Sequence, residues 1–159
     1  MKRLNKGSIC LTAAIALAAG MLSGGTGTPA AASDGITFLH ALDDQPIEFA
    51  FRADQTITPA VEAFHRTAEN PYRGDAEAKA RGKKLYLKWC KACHLKDGSG
   101  RIGPNLTDDK WKYKRAGTDK GNFEIIYAGG AGAMQAFGRR MDQDDILKLM
   151  AYLEVLGRE

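Results

Sequence analysis

Two thiols and an imidazole stand together in the run Cys90-Lys91-Ala92-Cys93-His94. Cysteines three apart on a tight turn can form thioethers to the two vinyl groups on neighbouring pyrroles of a haem. The next side chain then projects its ring towards the iron, and this is the physical logic of c-type haem attachment. Two other chemistries use the same residue types. A thioredoxin-like dithiol needs a sheet around the motif, and the flanking sequence reads as helix. A structural zinc site needs four ligands, and the other histidines, His40 and His65, lie far away in sequence. The third cysteine, Cys10, falls in an N-terminal leader and is lost with it, so no rival thiol remains for a disulfide.

An iron held by His94 calls for a second axial ligand. His/Met ligation raises the reduction potential and suits electron transfer. Met134, Met141 and Met150 follow the motif. Met150 sits among Leu147, Leu149 and Leu153 at helical spacing and reads as core. Met141 directly precedes the start of the last helix. Met134 ends a glycine-rich stretch, Gly129-Gly130-Ala131-Gly132-Ala133-Met134, whose backbone freedom lets a thioether be carried over a flat ring. Met134 is the favoured ligand and Met141 the runner-up. His40 and His65 read as surface or satisfied core residues. A peroxidase or gas-binding protein would need an open iron position or a second haem. One Cys-x-x-Cys-His run, with Met134 able to close the iron, instead suggests a single-electron carrier and not an enzyme.

The attachment turn must be held by helices. Asp75 caps a helix over roughly 76–90, with Leu85, Tyr86 and Trp89 at helical spacing. Before it, Thr58-Pro59 starts a short helix to about Ala68, which Asn70-Pro71 ends. Over residues 36–53 apolar residues alternate on both sides of Asp43-Asp44-Gln45-Pro46. That predicts a small hairpin or extended arm, with Pro46 placing it at an edge. After the motif comes a glycine-rich loop over 95–107, and then a short helical turn is expected at Asp108–Tyr113. Thr118 or Asp119 caps a helix over about 120–128. Asp142 caps the last helix, with Asp144 and Asp145 in its first turn where negative charge suits the dipole. Ile146, Leu149, Met150, Leu153 and Leu156 form its buried stripe. The expected fold is mainly α, with a short extended arm.

The first 32 residues read as a leader. Lys2, Arg3 and Lys6 precede an apolar run from Ile9 to Leu22, and Ala30 and Ala32 fit a small-x-small cleavage site. The run is short for a membrane span and is broken by Gly20, Gly24, Gly25 and Gly27, so the expectation is export to the periplasm, cleavage near Ala32 and no stable membrane anchor. The remaining chain divides into an arm with a short helix, 33–74, and a haem domain, 75–159. The whole chain carries 23 basic and 19 acidic residues. The leader takes three of those bases, which leaves the rest close to neutral at +1. The basic character is therefore no sign of nucleic-acid binding. It is unevenly spread: 33–78 carries −6, 79–120 carries +9 and 121–159 carries −2. The basic block spans the haem motif. It reads either as a solvated helix face or as a docking surface for an acidic partner.

These residues resemble class I cytochromes c. Gly82-x-x-Leu85-Tyr86 is similar to that family's first helix, and Leu149-x-x-Tyr152 to the matching face of its last. The resemblance implies that the two helices cross, with Gly82 permitting close approach near Tyr152. Met134-Gln135-Ala136-Phe137 resembles the family's Met-Pro-x-Phe loop, with Gln135 in place of the usual proline. An iron-ligating histidine usually donates its other ring N–H to a carbonyl or carboxylate. Gly103-Pro104-Asn105-Leu106 lies where small cytochromes c place such an acceptor, and the Pro104 carbonyl is the candidate. A plain turn would also use Gly-Pro. A narrower resemblance, over about 36–157, is to the cytochrome c-L family. It is carried by Trp111-Lys112-Tyr113, Asp119-x-Gly121-x-Phe123, the run ending at Met134, and the arm with Thr58-Pro59-Ala60-Val61 and Glu69-Asn70-Pro71-Tyr72. That resemblance implies one haem c and a periplasmic acceptor for a pyrroloquinoline-quinone (PQQ)-dependent methanol or other alcohol dehydrogenase, especially the lanthanide-dependent form. It also implies onward transfer to a cytochrome c or an oxidase. The stretch after the last helix is shorter than in the calcium-enzyme type. The reading leaves open the partner's metal, a bound calcium ion, and service to another periplasmic dehydrogenase.

Overall fold

Three helices begin where a short polar side chain replaces a missing backbone acceptor. The computed structural model describes residues 35–49 and 54–158. The leader, its cleavage point near Ala32 and Cys10 lie outside the described residues. Helix α1 spans Pro59–Thr67, and Thr58 caps it by accepting the Val61 N–H at 3.3 Å. Helix α2 spans Ala76–Trp89, with Asp75 accepting from Ala78 at 2.8 Å. One further turn, α3, covers Lys91–His94. Helix α4 spans Asp119–Ala128, with Thr118 accepting from Gly121 at 3.1 Å. Helix α5 spans Gln143–Leu153; Asp142 stands at its N-cap without a side-chain capping bond, and Asp144 and Asp145 occupy its first turn. The caps satisfy N–H groups that the helix leaves orphaned.

The arm forms a tight antiparallel loop with a single bridge between Leu39 and Pro46. Bonds from Ile47 N–H to Phe38 O and from His40 N–H to Gln45 O, each 2.8 Å, close it. No strand forms among the described residues.

One expectation is corrected. The segment 108–113 makes no helical turn, and a 3-10 turn forms at Lys114–Gly117 instead. The Asn105 and Asp108 side chains accept from Thr107 N–H (2.7 Å) and Lys110 N–H (3.0 Å). Those local side-chain bonds compete with the helix for the same donors.

The core sits where α2 and α5 cross. A Cβ on Gly82 would lie 2.1 Å from the Lys148 carbonyl oxygen and 2.8 Å from Tyr152 Cβ, so only glycine permits this approach. Tyr86 and Tyr152 meet beside it with ring centroids 5.6 Å apart. The crossing expected from the resemblance is thus present. A second layer of rings joins the arm to α1 and α4: Phe38 contacts Phe64 at 5.4 Å and Phe123 at 5.7 Å.

Candidate functional site

The last turn of α2 delivers Trp89 and Cys90, and α3 delivers Cys93 and His94, into one open cleft. The opposing lining comes from Ile102–Leu106, Lys110–Tyr113, Ile125 and Ile126 of α4, Gly130, Ala131 and Ala133–Gln135, and Leu149 and Leu153 of α5. Helical spacing turns one face of α4 and one face of α5 inward, so the wall is mainly aliphatic and aromatic.

His94 is buried, and its Nδ1 lies 2.9 Å from the Pro104 carbonyl. A carbonyl only accepts, so Nδ1 carries the proton and the Nε2 lone pair is left as the basic site. Gly103 sits against the imidazole: a Cβ there would come within 2.5 to 2.7 Å of three ring atoms. The chain reverses tightly around this contact, with Gly103 N–H and Arg101 N–H both donating to the Cys93 carbonyl at 3.0 and 3.1 Å.

Cys90 and Cys93 are half-buried free thiols. Burial, reinforced by the neighbouring Cys93, pushes the Cys90 thiol up to about 12. A thiol so placed is protonated at neutral pH and is a poor exchange nucleophile. That disfavours a redox dithiol. Among the described residues no group of three or more His, Cys, Asp or Glu is placed to hold a metal ion.

Met134 is half-buried in the cleft lining, and its sulfur lies 3.5 Å from where a Cβ on Gly130 would stand. Of the methionines among the described residues it alone lines the cleft. Met141 and Met150 are buried in the core, 3% and 2% exposed. The donor set fits a covalently attached haem: two free thiols, an imidazole with its far nitrogen held, and a thioether, all on one apolar cleft.

Around the mouth, Ile102 and Trp111 are exposed at 64% and 41%. Some members of the basic block are paired: Arg81 with Asp145, Arg115 with Asp44 and Glu124, and Lys120 with Glu124. Lys91, Lys96, Lys110 and Lys112 make no ion pair among the described residues, and Lys110 and Lys112 stand on the cleft itself. Three contributions were not expected from the sequence. Gly103 covers the imidazole, Glu124 is a buried carboxylate that also accepts Leu39 N–H at 2.7 Å, and Tyr113 accepts the Ala131 N–H. Glycine before proline hinted at the first; the bonds to Leu39 and Ala131 have no local mark.

A family profile described as "Cytochrome C oxidase, cbb3-type, subunit III" matches residues 77–153. Cytochrome c-L of Methylorubrum extorquens is 34% identical over 99 residues, covering 62% of this chain and 50% of that protein. The alignment thus spans about half the length of this curated relative. Cytochrome c6 of Cladophora glomerata is 35% identical over 82 residues, 50% of this chain and 89% of that protein. The crystal structure of cytochrome cL from the marine methylotrophic bacterium Methylophaga aminisulfidivorans superposes with a TM-score of 0.72 at 34% identity, covering 74% of this chain and 79% of that one.

Proposed function

The chain belongs to the class I cytochromes c, its fold matching that of the cytochromes c-L, and on that premise we propose that it is a periplasmic monohaem carrier of single electrons. In this reading it is exported by a leader cleaved near Ala32. It takes electrons from a PQQ-dependent alcohol dehydrogenase, methanol dehydrogenase first, and passes them to a downstream cytochrome c or an oxidase. The observation that carries the reading is the convergence of Cys90, Cys93, His94 and Met134 on one apolar cleft.

Cys90 and Cys93 would form the thioethers, and His94 Nε2 and Met134 Sδ would hold the iron. Bound there, the haem supplies one-electron exchange without transfer of any other atom. Pro104 accepts the imidazole Nδ1–H, which orients the ring with Nε2 towards the site the iron would take. Met134 would close the remaining iron position to water and small ligands. The aliphatic wall from α4 and α5 lowers the local dielectric, which together with a thioether ligand favours a high potential.

The partner reading rests on charge and on the relatives. Lys91, Lys96, Lys110 and Lys112 are not committed to ion pairs among the described residues, and Lys110 and Lys112 share the cleft lining with the exposed apolar Ile102 and Trp111. Such a surface suits brief docking of an acidic partner, with charge setting the on-rate. Similarity to cytochrome c-L supports a dehydrogenase as donor, and the oxidase-subunit profile supports an oxidase on the acceptor side.

The test is stopped-flow reduction of the purified holoprotein by PQQ-dependent methanol dehydrogenases and by other periplasmic dehydrogenases. Rapid, saturable reduction by a methanol dehydrogenase is expected. Faster reduction by an unrelated dehydrogenase, with none by the quinoproteins, would reassign the donor.

A further inference from the structure

The run that carries Met134 has little packing of its own. Ala131, Gly132 and Ala133 are exposed, and a Cβ placed on Gly132 would meet nothing within 4 Å. Gly129 and Gly132 hold positive φ, +91° and +81°, so the backbone here is intrinsically loose. Its fixed point is Tyr113. The Ala131 N–H donates to the Tyr113 hydroxyl. The edge of the same ring lies 3.6 Å from where a Cβ on Gly130 would stand, and Met134 Sδ lies 3.5 Å from that point. The phenol and the thioether thus both approach the same face of Gly130, whose N–H donates to the Met134 carbonyl at 3.1 Å.

Tyr113 is in turn tied to the body of the protein. It is the N-cap of the 3-10 turn Lys114–Gly117, and its carbonyl accepts Ala116 N–H at 2.9 Å. Within that turn Arg115 pairs with the buried Glu124 of α4 and with Asp44 of the arm. Gly121 of α4 packs directly on the Arg115 carbonyl, where no Cβ would fit. A rigid anchor therefore ends in one hydroxyl that holds a loose loop.

We propose that Tyr113 is a positioning residue for the Met134 ligand, a latch that keeps the 129–134 loop closed over the cleft; this rests on Met134 being the ligand. Without the hydroxyl, the loop loses its one side-chain hydrogen bond among the described residues, and opening becomes easier. The net worth of such a bond corresponds to roughly three- to tenfold in an opening equilibrium.

Imidazole titration of the oxidised holoprotein, read by loss of the Met–Fe charge-transfer absorption, measures that opening. Tyr113→Phe is expected to keep the absorption without imidazole and to bind imidazole about three- to tenfold more tightly. The bond is missing from the unfolded chain as well as from the open loop, so global stability is expected to fall by no more than the same factor. Unchanged or weaker imidazole binding overturns the latch. So does a fall in global stability that exceeds the gain in imidazole binding, which would mean general softening. Met134→Ala is measured in parallel. If it keeps the charge-transfer absorption, the ligand reading fails and the latch fails with it. If it loses the absorption while Tyr113→Phe behaves as wild type, the latch alone fails. Should Tyr113→Phe not mature, amide exchange in the wild-type holoprotein decides. Ala131 N–H is expected to exchange several-fold more slowly than the exposed Ala133 N–H, and equal rates overturn the proposal.

Discussion

Gly82→Ala puts two physical effects in opposition. Alanine is a better helix former than glycine by about 1 kcal/mol, so propensity alone makes the variant more stable. The geometry argues the reverse. The new Cβ would stand 2.1 Å from the Lys148 carbonyl oxygen, 2.9 Å from its carbon and 2.8 Å from Tyr152 Cβ. None of these atoms can be moved by a rotamer change, because all belong to the α5 backbone or its first side-chain atom. The helices must therefore part by roughly 1 Å, and a gap of that size forfeits a quarter to a half of each dispersion contact along the crossing. Overpacking of this kind costs about 1–3 kcal/mol, and a backbone obstacle puts it at the upper end. After the propensity gain, the net loss is about 2 kcal/mol, or roughly 5–10 °C in midpoint for a domain of this size. The assay is unfolding of the holoprotein followed both by far-ultraviolet circular dichroism and by haem absorbance, since a bound cofactor can break two-state behaviour. Because Leu149 and Leu153 of α5 also wall the cleft, the haem signal is expected to shift with the helical one. A variant as stable as wild type, or more so, would refute the close-approach argument.

Met134→Ala is expected to abolish the Met–Fe charge-transfer absorption and lower the potential. Met141→Ala should keep both while losing about 2–5 kcal/mol of stability as a core truncation; the reverse pattern would move the ligand to Met141. Reduction by the partner dehydrogenase should slow as ionic strength rises, because the Debye length falls to about 8 Å at physiological salt, and Lys110→Gln with Lys112→Gln should flatten that dependence. Mass spectrometry of protein from the periplasmic fraction should give a chain beginning at Ser33 with one haem added; an uncleaved chain would refute the leader. Burial first, and then the bond it donates to Asp144, raises Tyr72 to about 12. Its contribution to stability is therefore complete below about 10, the unfolded value, and is lost as pH rises towards 12. Burial raises Asp144, but bonds from Lys148, Tyr72 and Thr58 outweigh it and hold the carboxyl low. Its contribution is present above the usual aspartate range and is lost as pH falls below it. Tyr72→Phe should remove part of the alkaline loss, and Asp144→Asn part of the acid loss, in denaturation midpoints measured across pH.

Local chemistry was legible wherever it is written in neighbouring residues. The haem motif, the caps at Thr58, Asp75 and Thr118, and the breaking glycines after Ala128 depend on residues within a few positions of each other. The loop setting of Met134 and the place of Met141 just before a helix were legible for the same reason, since glycine content distinguishes a loop from a helix entry. The turn expected at 108–113 failed because Asp108 suits a helix start and an Asx turn equally, and only the packing of the loop decides between them. Glu124 was invisible because only Lys120 is its neighbour on α4, at i,i+4, whereas Leu39 and Arg115 reach it from the arm and the preceding turn. Tyr113 was noticed as part of a family pattern, but its bond to Ala131 spans 18 residues that no periodicity connects.

That long-range tying also bears on how the arm relates to the haem-bearing part. Glu124 accepts from Leu39 of the arm, Arg115 reaches Asp44, Thr58 donates to Asp144 at 2.8 Å, and His65 Nε2 lies 2.6 Å from Gln143 Oε1. Asn70, itself buried, donates to the Leu147 carbonyl at 2.9 Å. Apart from the Arg115–Asp44 pair, these bonds end on α4 and α5, and α5 is also the helix that Gly82 allows to approach α2. Phe38, Ile47, Val61 and Phe64 lie in the same core as Tyr86, Ile146 and Leu149. Exposing such side chains costs about 1.5–3 kcal/mol each, so losing four of them would remove a total comparable with the whole stability of a typical domain. Residues 35–49 and 54–74 thus contribute to the core through α4 and α5, and through Arg115 they brace the turn that holds Tyr113. The arm that seemed peripheral in sequence is joined, contact by contact, to the loop that carries Met134.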